Sequence, residues 1–136
     1  MPVLTLRCSP LPPAAVQARL GAALTRLTAE LLGKRPEVTA VLLHAEPAAW
    51  CIGGEPSPLP TAWLEISITA GTNSVAEKAN FIAQAQALLQ AELAPGGTLA
   101  AASYVVVREL PATDWGYAGL TQDARRRASP PVPVKA

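Results

Sequence analysis

Charge is scarce in this chain. Its 136 residues hold 11 Lys and Arg against 10 Asp and Glu, a formal net charge of +1, and only 15% are charged at all. A balance so close to zero leaves no electrostatic footprint for nucleic acid, apart from a short basic stretch near the C-terminus. Histidine is rarer still, and the single His44 excludes any two-histidine metal motif. Two cysteines, Cys8 and Cys51, make neither a disulfide framework nor a metal knuckle. No metal and no cofactor is therefore expected. No run approaches the ~20 apolar residues that span a bilayer, and the first residues lack the charged-then-apolar layout of a signal peptide. These absences point to a cytoplasmic protein with no membrane partner. What the chain does have is apolar surface: 50% of its residues are hydrophobic, and the mean hydropathy is +0.24. That composition argues against disorder, and the length suits one domain with a real core.

Local patterning gives the elements. Val3 to Cys8 alternates, with Leu4, Leu6 and Cys8 on one face, which reads as a strand. S-P-L-P-P then breaks it. Val16, Leu20, Leu24, Leu27 and Leu31 follow at helical spacing, and Gly33 sits where a left-handed cap is wanted. Val38 to Leu43 is apolar on both faces, as an inner parallel strand would be. Leu64, Ile66 and Ile68 alternate with Trp63, Glu65, Ser67 and Thr69 in another strand, and A-G-T-N makes a turn. Ser74 and Glu77 form a capping box opening a helix whose Val75, Ala79, Ile82, Leu89 and Leu93 are assigned to one face. Pro95 to Gly97 ends that helix, and Ser103 to Leu110 is a further strand.

The order repeats, and so do the letters. P-A-A-W-C-I-G-G, Pro47 to Gly54, and P-A-T-D-W-G-Y-A-G, Pro111 to Gly119, share P-A, a spacer and W-x-x-[GA]-G. Two strand–helix–strand units, residues 2–58 and 62–122, predict a single α+β domain over residues 1–122. It comprises a four-stranded sheet with both helices on one face. Val41, Leu43, Val105 and Val107 lie in strands read as apolar on both sides, so the bare second face predicts burial against further copies of the chain, a homo-oligomer. Residues 123–136, basic and proline-rich, read as a tail that is either solvated or packed over a neighbour.

One candidate for chemistry stands at the start of the chain. Removal of Met1 would leave Pro2 with a secondary amine; an α-amino group has a reference pKa of about 7.7–8.0, and prolyl amines are more basic. Desolvation lowers such a pKa toward neutrality, where a base can take a proton from carbon beside a carbonyl. With the duplicated layout, the chain resembles the tautomerase superfamily. Val38 to Glu55, V-T-A-V-L-L-H-A-E-P-A-A-W-C-I-G-G-E, is similar to the second strand and hairpin of 4-oxalocrotonate tautomerase. The spacing from Pro2 to Gly33–Lys34 and on to P-x-x-x-A-V at Pro36 to Val41 is similar to macrophage migration inhibitory factor. The resemblance runs from Pro2 to about Gly119.

That resemblance implies a homotrimer of two-unit chains, each with Pro2 as general base. It assigns Lys34 to a substrate carboxylate or carbonyl, Thr69 to the pocket lining, Tyr104 to a residue lent by the neighbouring subunit, and Trp115 and Tyr117 to apolar walls. On the residues alone, Lys34 is a helix-end cation, Tyr104 a strand aromatic, and the tryptophans core. Departures accompany the likeness. Arginines of 4-oxalocrotonate tautomerase fall at Pro12 and Thr39, and the arginine pair of the cis-haloacrylate dehalogenase group falls in Ala70 to Asn73, which has no cation. An asparagine of the migration inhibitory factor group falls at Val106. Arg108 is a candidate replacement cation. His44 reads as a core or strand-end histidine, Cys8 as buried and inert, Cys51 as a thiol without a base, and Gly53–Gly54 and Gly96–Gly97 as turn glycines.

Three functions fit this sequence. The first is a cofactor-independent tautomerase acting on a small carboxylated 2-keto acid or enol. The second is a decarboxylase or hydratase using the same proline. The third is a non-catalytic oligomer with a vestigial pocket. In the first two, the spot equivalent to Pro2 in the second unit, around Ala62 and Trp63, has only an amide nitrogen, so one working site per chain is expected.

Overall fold

A computed structural model describes residues 2–45 and 49–128. Met1, the Pro47–Ala48 part of the first repeated motif, and residues 129–136 of the basic tail lie outside the described residues. The first unit is strand β1 (Val3–Ser9), helix α1 (Ala14–Leu32), a 3₁₀ turn at Pro36–Val38 and strand β2 (Ala40–Ala45). A small hairpin follows, β3 (Cys51–Ile52) with β4 (Glu55–Pro56). The second unit is β5 (Thr61–Thr69), α2 (Val75–Leu93) and β6 (Tyr104–Leu110), then a hairpin of β7 (Gly116–Tyr117) with β8 (Leu120–Thr121). Helix α3 (Gln122–Ala128) comes last.

The sheet order is β2-β1-β5-β6, parallel within each unit and antiparallel where β1 meets β5. The two parallel ladders open at Val3↔Ala40 and at Trp63↔Tyr104. Pro2 and Ala62 are therefore the residues just before equivalent openings. Both are buried.

Leu4, Leu6 and Cys8 of β1 and Ala62, Leu64, Ile66 and Ile68 of β5 form the sheet side of one core. Leu20, Leu24 and Leu32 of α1 and Phe81, Ala85 and Leu89 of α2 close over it. Three helix details differ from the sequence reading. The α1 stripe passes through Thr28 and Leu32 instead of Leu31; Thr28 is tolerated because its hydroxyl donates to Leu24 O at 2.7 Å. In α2 the inward row is Phe81, Ala85 and Leu89, while Val75 is 79% exposed, and Ile82 39%. A flat apolar content all round that helix hid its phase. Third, α3 (Gln122–Ala128) occupies the start of the stretch read as a tail.

The second sheet face also differs. Val41, Leu43, Val105 and Val107 pack against the helix-side core. The open face carries Val3, Leu42, Trp63, Tyr104 and Val106 interleaved with Arg7, His44, Glu65 and Arg108, a mixed surface. Trp63 and Tyr104 meet there with ring centroids 5.7 Å apart, and Arg108 pairs with Glu65 at 2.7 Å. Among the described residues no helix is long and apolar enough to cross a membrane.

The repeated W-x-x-[GA]-G letters are the two hairpins. Each turns through two residues of positive φ, Gly53–Gly54 in one and Ala118–Gly119 in the other. Each is closed by the same bond, Ser57 N–H to Trp50 O at 2.7 Å and Gln122 N–H to Trp115 O at 2.9 Å.

Candidate functional site

Lys34 owes its position to the end of α1. Gly33 takes φ +69°, which a side chain would resist, and its N–H reaches Ala29 O at 3.0 Å. The chain then turns sharply through Pro36–Val38 into β2, leaving Lys34 half-buried at the corner. The A-G-T-N loop after β5 holds it there. Lys34 Nζ donates to Thr72 Oγ1 at 2.9 Å, and Thr72 Oγ1 donates to Thr69 O at 2.6 Å. Asn73 Nδ2 donates to Leu32 O at 3.0 Å, which ties this loop to the end of α1.

The electrostatics of the corner are mixed. Burial pulls the Lys34 ammonium below its ordinary range, and the nearby Arg126 pulls it further; Glu77 and Glu109 oppose both. Those two carboxylates are themselves stabilised as anions. The Ser74 N–H is the main cause for Glu77, and the hydrogen bond from Lys78 for Glu109.

The facing wall comes from the second hairpin and α3. Thr121 Oγ1 accepts from Ala124 N–H at 3.0 Å, and Asp123 N–H reaches Ala112 O at 2.9 Å, so α3 is anchored at its start. Arg125 lies flat on the Tyr117 ring, 3.7 Å from its centroid, while its Nη2 donates to Tyr117 O at 2.8 Å. Between the walls is a cavity of about 380 Å³. Lys34, Thr69, Thr72, Tyr117, Arg125 and Arg126 line it, with Val38 at its base. Its basic lining and its size suit a small anionic molecule.

Pro2 does not line this cavity. Its ring is buried, and its carbonyl accepts from Ala40 N–H at 3.3 Å. Continuing the β1–β5 register sets Pro2 opposite Ile68, one residue from Thr69. Continuing β1–β2 sets it beside Thr39, one residue from Val38.

The structure thus gathers Lys34, Thr69 and Tyr117 around one cavity, and Pro2 is not among its lining. Trp115 is elsewhere, in a separate cavity of about 270 Å³ behind the hairpin, with a buried Nε1 that has no hydrogen-bond partner among the described residues. Tyr104 is 57% exposed at the far end of β6, where it pairs with Trp63 while Leu110 pairs with Thr69. At 3.3 Å per residue that is about 20 Å from Thr69 within one chain. Arg108 is on the open sheet face, held by Glu65, and supplies no cation here. His44 is an exposed strand-end residue instead of a core one. Cys8 is buried, and burial raises its thiol pKa; Cys51 is exposed.

Sequence reasoning missed Arg125 and Arg126. The signal was the T-x-x-A start after the hairpin, with Asp123 and Arg127 spaced i, i+4 and bonded at 3.1 Å. The prolines just beyond masked it.

No family model and no curated relative matches the chain. Solved structures do. A fused 4-OT described as a wild-type asymmetric trimer is 29% identical, with TM-score 0.75, covering 90% of this chain and 98% of that one. A second protein of the same description is 26% identical, with TM-score 0.77, covering 92% and 99%. A macrophage migration inhibitory factor-like protein from Entamoeba histolytica is 17% identical, with TM-score 0.70, covering 88% and 97%. These matches span nearly the whole of both chains and identify an α+β fold of the tautomerase superfamily.

Proposed function

Starting from a chain with the tautomerase-superfamily fold, we propose that it is a cofactor-independent tautomerase with Pro2 as general base. Its substrate is a small carboxylated 2-keto acid or enol. The observation that carries this reading is the place of Pro2: buried at the opening of the β1–β2 ladder, one residue from two linings of a cavity that holds Lys34.

With Met1 removed, Pro2 has a secondary amine in an apolar setting, and desolvation favours its neutral form. That nitrogen takes a proton from the carbon next to the keto group. The electron pair of the broken C–H bond forms the enol double bond, and charge moves onto the keto oxygen. Lys34 is within reach of that oxygen or of the neighbouring carboxylate, and it stabilises the charge as it develops. The prolinium returns its proton to the oxygen, or on the reverse path to carbon, so atoms and charge balance without a co-reactant.

The assembly belongs to the same proposal. A homotrimer would cover the open face that bears Val3, Leu42, Trp63 and Tyr104, and would let a neighbour lend Tyr104 to the cavity. The fused 4-OT neighbours are described as trimers, which supports it. A monomer by light scattering at micromolar concentration would remove that part.

Assays of the processed protein, its mass checked for loss of Met1, on phenylpyruvate and 2-hydroxymuconate test the chemistry. Turnover should rise with pH through the proline's titration, because only the neutral amine accepts a proton. A pH–rate profile flat from about pH 5 to 9 contradicts a base poised near neutrality.

A further inference from the structure

The three arginines of α3 are not alike. Arg127 is 80% exposed and paired with Asp123 at 3.1 Å. Arg125 and Arg126 instead line the Lys34 cavity. Arg125 is held by the Tyr117 ring and carbonyl. Arg126 makes no ion pair or hydrogen bond among the described residues, yet it is near enough to Lys34 to repel its ammonium. Glu77 and Glu109 answer the charge of Lys34, and neither lines the cavity. The fold thus brings a second cation, Arg126, to the same cavity as Lys34, and among the described residues no carboxylate lines it. Such an arrangement costs free energy when empty and is relieved by an anion that spans it.

The other half offers the control. Its hairpin lies against the α2–β6 connection in a cavity of about 330 Å³ lined by Ile52, Glu55, Pro56, Leu59 and Ala100–Ala102. No cation lines it, and no helix follows that hairpin, only S-P-L-P into β5.

We infer that α3 supplies a second anion subsite, with Arg126 receiving a carboxylate at the end of the ligand remote from the one held by Lys34. This extends the tautomerase reading and rests on it for the orientation of substrate. The subsite selects a dianion over a monoanion of the same length.

Equilibrium binding tests this without turnover. trans,trans-Muconate and sorbate share one carbon skeleton and differ by a carboxylate in place of a methyl group. Calorimetry on the processed protein at low salt should show muconate binding at least about tenfold tighter, as one charge-assisted contact allows. Arg126→Gln should shrink that ratio to within about threefold while sorbate affinity holds, Arg126→Lys should restore part of it, and Arg127→Gln should leave it unchanged. Equal affinities in the parent protein, no muconate binding, or a ratio preserved in Arg126→Gln would overturn the subsite. Pro2→Ala separates the two claims: it should keep the muconate preference whether or not it abolishes turnover.

Discussion

Each of the two hairpins closes over the helix–strand connection of the other unit, yet the cavities that result differ in chemistry. Over the α1–β2 corner, Tyr117 and Leu120 of the second hairpin meet Lys34, Arg35 and the α3 arginines. Over the α2–β6 corner, Ile52 and Glu55 of the first hairpin meet three alanines. The backbone is repeated down to the bond that closes each hairpin. The side chains are not. Duplication here conserves packing, because each unit needs the same apolar face to build a shared core, while charge is free to collect on one side.

The nitrogen before each ladder shows the same division. Ala62 N–H is tied to Ser103 Oγ at 3.1 Å, an amide with no basicity. In the proposed reading, loss of Met1 would leave Pro2 with a basic amine. Replacing it is the largest change we expect: Pro2→Ala should lower kcat/KM by about 10²–10⁴-fold, the usual range for a lost general base, with no matching effect from any change at the α2–β6 cavity. Steady-state kinetics on processed protein measures it.

Stability should instead treat the units alike. Leu4→Ala and Leu64→Ala each empty a fully buried site in the common core and should each cost about 2–5 kcal/mol by urea denaturation. A loss confined to one of them would mean the halves do not share a core.

Lys34 sharpens the contrast. Lys34→Ala should lower kcat/KM by about 10–100-fold, through KM if it holds a carboxylate and through kcat if it stabilises the oxyanion. Glu55→Gln, in the equivalent cavity, should leave kinetics unchanged. Because burial lowers the Lys34 pKa, the folded chain binds fewer protons than the unfolded one between that lowered value and the ordinary 10.5. Over that window Lys34 adds stability as pH rises, while anion binding, which needs the ammonium, falls. The alkaline limb of kcat/KM should therefore begin below that of an ordinary lysine and move upward in Lys34→Arg.

The smallest effect concerns the helix starts. α2 opens with a complete capping box at Ser74 and Glu77, whereas α1 opens at Pro13 with no side-chain cap. Ser74→Ala should cost about 1 kcal/mol in the same denaturation experiment.

Much of this architecture was legible as letters. Alternation at Leu4–Leu6–Cys8 and Leu64–Ile66–Ile68, the Ser74–Glu77 box and Gly33 each express a local rule, and local rules read directly. The phase of α2 did not, because alanines spread apolar character around the helix and only tertiary contact with β6 chose Phe81, Ala85 and Leu89. Within the candidate site, Pro2, Lys34, Thr69 and Tyr117 came from pattern and resemblance together. Trp115 lines a separate cavity, while the resemblance assigned it, like Tyr117, to an apolar wall of the site. Arg125 and Arg126 were missed because α3 is placed by tertiary contacts, among them the stack of Arg125 on Tyr117, that no spacing encodes.

The sharpest test of unequal halves is a count. A 2-oxo acid with a conjugated alkyne is a Michael acceptor for a neutral secondary amine. Intact-mass analysis of the processed protein after inactivation should show one adduct per chain, on Pro2, with activity lost in proportion. Two adducts per chain, or none with Met1 removed, would contradict a single working site built on Pro2.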